Sequence, residues 1–154
     1  MSEREEPAFG EEPQSEEGLP AMVHATWFLT TGHRLKRLGM TQPGPDRWHL
    51  EYTVSADGEQ FAFSRRRLNE PFMTIPTGKV RSIWLGMTRA SFLERWRYDP
   101  VFAIVLNVEA SEGLVAVPIM PTGDNWWTRL TWTYRDTHLA AERLSHASGV
   151  PLRP

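Results

Sequence analysis

Along most of this chain apolar and polar residues alternate one by one, and turn residues interrupt the pattern every few positions. A side-chain period of two belongs to half-buried β-strands, and a helix cannot satisfy it. The clearest case lies between residues 48 and 68. Trp48, Leu50, Tyr52 and Val54 share one face, and His49, Glu51, Thr53 and Ser55 share the other. Asp57-Gly58 supplies the turn, and Phe61 and Phe63 mark the apolar face of the return strand. Short connections force antiparallel neighbours, because a parallel crossover needs a dozen or more residues.

The same reading extends along the chain. Val23, Ala25, Trp27 and Leu29 alternate with His24, Thr26, Phe28 and Thr30 until Gly32. Residues 33–38 fit either a further short strand or one helical turn. Strands are predicted over residues 72–75, 80–85, 101–109 and 114–120, with Pro118 placing the last at an edge or a bulge. A helix is predicted over residues 88–98, capped by Thr88, with Phe92, Leu93 and Trp96 on one side. Residues 126–135 form the most regular alternation, with Trp126, Leu130, Trp132 and Tyr134 set against Trp127, Arg129 and Arg135. Asp136 or Thr137 then caps a closing helix that Gly149 and Pro151 end. The expected fold is α+β and mostly β: about seven strands in a curved antiparallel sheet or partly closed barrel, with one interior and one C-terminal helix.

Composition sets the domain division. Residues 1–20 hold seven Glu against the single Arg4, a net −6, and their main apolar residues are Phe9 and Leu19. Such a segment cannot bury enough surface to offset ordering entropy, so it reads as a disordered acidic arm. Its acidic start, with no apolar run after it, does not read as a secretory leader. The remainder, residues 21–154, reads as one domain carrying 16 Lys and Arg against 12 Asp and Glu, a net +4. The arm is either a solubilising tail or an intramolecular competitor lying over the basic body. Without cysteine, disulfides, thiolate metal sites and cysteine nucleophiles are excluded. No phosphate-binding loop, dinucleotide fingerprint, serine elbow or zinc-protease motif occurs, and the five His are scattered. Neither a metal nor another cofactor is expected. No apolar run approaches the length of a membrane span, so the expected setting is soluble and cytoplasmic.

Three features carry the functional expectations. Trp48, Tyr52, Phe61, Phe63, Trp126, Trp132 and Tyr134 either pack as a core or line an apolar cavity. Arg65 and Arg67 continue the Phe61/Phe63 face, where they either reach out to water or clamp an acidic group. His49 and Glu51, two residues apart on one side of a strand, are either a solvated face or an acid/base pair. Trp127, Arg129 and Arg135 on the opposite face are candidate interface residues. The leading expectation is a domain that binds a small, largely apolar molecule with an acidic group, with non-metal lyase or cyclase chemistry open. A protein–protein module or homo-oligomer using exposed Trp and Arg is the alternative. A single-stranded nucleic-acid binder held back by the acidic arm comes after it.

The order of elements in the second half, strands leading through residues 126–135 into a C-terminal helix, resembles helix-grip ligand-binding proteins of the lipid-transfer and polyketide-cyclase type. The strand meander also resembles the lipocalin-like barrels. Both resemblances imply ligand binding at the level of fold alone.

Overall fold

A computed structural model describes residues 21–45, 50–65, 70–89, 100–121 and 134–153. Among these residues eight strands form one mixed sheet: β1 (Ala21–Thr26), β2 (Glu51–Ala56), β3 (Gln60–Arg65), β4 (Pro71–Pro76), β5 (Val80–Arg89), β6 (Pro100–Ala110), β7 (Gly113–Pro121) and β8 (Leu152–Arg153). Helix α1 (Leu29–Arg37) follows β1, and helix α2 (Tyr134–Ser148) precedes β8. The spatial order is β4-β3-β2-β1-β7-β6-β5-β8, and the sheet does not close into a barrel. Neighbours are antiparallel except β8, which pairs parallel to β5 through Ile83↔Leu152 and Trp84↔Arg153. Among the described residues the fold is mostly β with two helices, and the strands follow the alternation.

One face of the curved sheet carries the core. Val23, Ala25, Tyr52, Val54, Phe61 and Phe63 from one half meet Ile83, Ile104, Leu106, Val117 and Ile119 from the other. Leu35 of α1 and Ala141 and Leu144 of α2 complete it. The β2–β3 hairpin has the expected faces, with Val54 opposite Phe63 and Ala56 opposite Phe61. The Asp57 carboxylate accepts the backbone N–H groups of Glu59 and Gln60 at 2.7 and 2.9 Å, which explains Asp at this turn. Register shifts between β3 and β4, where Phe63 faces Met73 and Ser64 faces Pro71. The extra residue, Phe72, is thereby turned into the core together with Ile75, three positions on.

The sheet is nearly split in two. β1 and β7 pair only through Ala25↔Pro121 and Thr26↔Met120. Over the rest of β7, the edge away from β6 is covered by α1. Thr31 Oγ1 donates to the Pro118 carbonyl at 2.8 Å, and Arg34 Nη1 donates to the Ala116 carbonyl at 2.9 Å. In an antiparallel strand the N–H and C=O of one residue point the same way, so the nitrogen of Pro118 also faces this edge. Its missing N–H therefore takes nothing from the ladder with β6, and Pro118 is tolerated where an edge was expected.

Three local expectations are corrected. Residues 29–37 form a full helix, so the first strand stops at Thr26 and not at Gly32. The reason is tertiary: a Cβ on Gly32 would lie 2.8 Å from Trp27 Cζ2, so a glycine inside the helix lets the indole lie against it. The helix ends in a Schellman motif. Gly39, at φ 102°, donates to the Lys36 carbonyl, and Met40 donates to Leu35. Replacing Gly32 by Ala is expected to destabilise the protein by about 1–3 kcal/mol, because the ring or the helix must shift. Thermal unfolding of the variant checks this, and an unchanged Tm would refute the wedge. Second, Thr88 caps no helix. β5 runs through Gly86 to Arg89, with Thr88 opposite Val101 and Arg89 opposite Pro100. The body of that expected helix, residues 90–98, lies outside the described residues. Third, Tyr134 and Arg135 open α2 instead of ending a strand. The rest of that alternation lies outside the described residues, as does the acidic arm.

Candidate functional site

The inner aromatic residues form a packed cluster at the β1–β4 end of the core. Tyr52 stacks on Phe63 with ring centroids 6.0 Å apart and planes at 15°. Trp27 meets Tyr52 edge-on at 5.5 Å and Phe72 at 5.6 Å. Tyr52, Phe61 and Phe63 are fully buried. A Cβ on Gly44 would come 2.9 Å from the Trp27 ring, so Gly32 and Gly44 together clasp the indole. Arg65 holds that arrangement from outside, its Nε donating to the Gly44 carbonyl at 3.1 Å. The hydroxyl of Tyr52 is buried with no hydrogen-bond partner among the described residues. Burial pushes the phenol above its ordinary range, and the Thr31 side chain acts in the opposite direction. The Thr31 hydroxyl is the polar group near the phenol oxygen, but its own proton goes to the Pro118 carbonyl.

Other candidates fall elsewhere. Glu51 lies half-buried on the opposite face of β2, across from Thr26, and its pattern partner His49 lies outside the described residues. Trp48, Arg67, Trp126, Trp127, Arg129 and Trp132 also lie outside them. Arg135 is exposed on the first turn of α2. Tyr134 begins that helix, on a different element from Tyr52, Phe61 and Phe63. The structure thus brings together Tyr52, Phe61, Phe63 and Arg65 of the expected set.

A cavity of about 360 Å³ opens at a different place. It lies between the C-terminal end of α1 (Arg37, Leu38), edge strand β4 (Met73, Ile75) and the end of β6 (Val108, Glu109), with Lys79 beside it. Its volume is at the lower end of the range for small-molecule sites. Half-buried Leu38 and Met73 make a small apolar patch in a mixed lining, over the buried Ile75 and Val108, and exposed Arg37 and Lys79 add two cations. Glu109 is engaged by Arg81 in an ion pair. Arg37 has only a long contact of 3.7 Å with Glu112, and Lys79 has no carboxylate partner among the described residues. The arrangement therefore joins an apolar patch to positive charge that carboxylates among the described residues engage only in part.

Local patterns did not single out these residues. Lys79 ends the 3-10 turn Thr77–Lys79, which reads in the sequence only as a turn, and Arg37 belongs to the ambiguous segment. Only long-range folding places them around one space. On the outer face, Trp84 is 46% exposed. Its indole N–H donates to Ser82 Oγ at 2.7 Å, which fixes the ring. Among the described residues no three His, Asp or Glu side chains converge as a metal site requires, and no helix is long and apolar enough to cross a membrane. No family model matches the chain, and no curated protein matches it.

Proposed function

We propose that this domain binds a small amphipathic molecule whose acidic group meets Lys79 and Arg37 and whose apolar part lies on Leu38 and Met73. The cavity itself carries the reading: a space at the lower end of ligand-binding size joins an apolar patch to a lysine that has no carboxylate partner among the described residues. Arg37 adds a guanidinium that can hold a carboxylate or sulfonate through two parallel donors.

An anilinonaphthalene sulfonate, which pairs fused rings with one fixed negative charge, is a suitable probe. Lys79→Glu replaces an attraction by a repulsion at the pocket's rim, and is expected to weaken binding of this probe by about tenfold. Trp84→Ala, on the outer face, should leave the affinity unchanged. Equal binding by wild type and Lys79→Glu would refute the assignment of the acidic group to this pocket. A second reading, a protein-binding module, draws on the exposed, orientation-fixed Trp84, since tryptophan is enriched at interface hot spots. Loss of probe binding in Trp84→Ala but not in Lys79→Glu would favour it.

A further inference from the structure

We infer that the exposed basic face of α1, with Lys79 beside it, is the docking surface for the chain's own acidic segment, residues 1–20. The nine residues of α1 include His33, Arg34, Lys36 and Arg37 and no acidic residue. Arg34 is turned toward the Ala116 carbonyl, whereas His33, Lys36 and Arg37 are exposed. The Arg37–Glu112 contact, at 3.7 Å between two largely exposed side chains, is screened by water and easily exchanged. Against this face the chain itself offers seven Glu and one Arg within twenty residues.

The point of attachment favours the same surface. Ala21 opens β1 opposite Ala56, the residue that leads into the Asp57–Glu59 turn. Thr77 is bonded to that turn twice, its N–H donating to the Glu59 carbonyl at 2.9 Å and its hydroxyl to the Asp57 carbonyl at 3.1 Å. Thr77 begins the short helical turn that ends at Lys79, and Lys79 shares its cavity with Arg37. The acidic segment is therefore tethered at the end of the sheet where the basic groups gather. Twenty residues can span up to about 65 Å when extended, against a helix about 14 Å long, so reach is no constraint. A tether of this length keeps the acidic groups at an effective concentration on the order of millimolar, enough to populate weak charge contacts.

The absence of native cysteine makes the test direct, since Gly10→Cys places one nitroxide label between two Glu pairs in the full-length protein. At about 0.01 M salt, where screening extends to about 30 Å, the amide signals of Lys36, Arg37 and Lys79 are expected to broaden selectively. At about 1 M salt, where it falls to about 3 Å, that broadening should disappear. Lys36→Glu combined with Arg37→Glu should abolish it at low salt as well. Broadening that is equal at both salt concentrations would overturn the inference, as would broadening centred on Arg135 and Arg143 of α2. The salt titration of the labelled chain decides the matter even if the double variant fails to fold. Selective broadening together with probe binding insensitive to Lys79→Glu would leave the docking surface standing and overturn only the ligand reading.

Discussion

Phe63→Ala is expected to lower the free energy of unfolding by about 3–5 kcal/mol, the range for removing a fully buried phenylalanine. Phe63 has no solvent exposure, lies opposite Val54 of β2 and Met73 of β4, and stacks on Tyr52 at 6.0 Å. Its neighbours are themselves ring-shaped and mutually wedged, Tyr52 against Trp27 and Trp27 against Phe72, so the vacated space cannot collapse without moving all three. A domain of this size has a total stability of about 5–15 kcal/mol, so the variant loses a large share of it. Urea unfolding followed by Trp fluorescence measures the loss. A change below about 1 kcal/mol would mean that Phe63 borders open space, because a ring lining a hollow gives up fewer contacts when truncated. The result therefore also decides between the two sequence readings of the aromatic residues, core packing and cavity lining.

Tyr52→Phe is expected to act in the opposite direction. The phenol oxygen is buried without a hydrogen-bond partner among the described residues, an arrangement that costs about 1–3 kcal/mol. Phenylalanine preserves the ring contacts with Phe63 and Trp27 and removes that cost, so the variant should be more stable at neutral pH. The gain should grow in alkali. Burial raises the Tyr52 pKa in the folded protein above the ordinary value near 10 that applies in the unfolded chain. Below about pH 10 neither state ionises, and this group adds no pH dependence. Above it the unfolded state releases a proton that the folded state retains, and wild type loses up to about 1.4 kcal/mol per pH unit from this residue. Tyr98 and Tyr134 are common to both proteins, so the difference between them isolates Tyr52. Thermal midpoints at neutral pH and at two alkaline values should show a gap that widens above pH 10. A gap that stays constant would mean that Tyr52 ionises in the folded state as it does in water. A variant less stable than wild type at neutral pH would show that the hydroxyl makes a bond worth keeping.

Both arguments rest on a face pattern that was legible in the residue order. Alternation across Tyr52, Val54, Phe61 and Phe63 depends only on the two-residue period of a strand, and Asp57-Gly58 holds a turn by bonding to its own backbone. The closing helix was equally legible, because Ala140 and Leu144 recur four residues apart on its buried face before Gly149, at φ 80°, whereas Leu139 of the same expected set is exposed. These are local properties, and each is present in the segment that displays it.

Where two local readings compete, tertiary contacts decide. Residues 29–37 have no side chain capping the helix at its N-terminus, and their glycine suggests an end. The helix exists because Leu35 reaches the core, Thr31 and Arg34 satisfy the open edge of β7, and Trp27 needs the space at Gly32. Thr88 has the composition of a cap, but the ladder with β6 holds it extended. The candidate site is decided in the same way. The sequence by itself determined that the sheet would have one apolar face, where its first hairpin would turn, and that a closing helix would follow. Only the tertiary structure set Arg37, Lys79 and Val108 around one space, because they come from three segments that share no sequence period and meet only when β4 and the end of β6 are brought to the same end of α1. Strand alternation is a short-range consequence of backbone geometry, whereas a pocket is a long-range consequence of how the strands are joined.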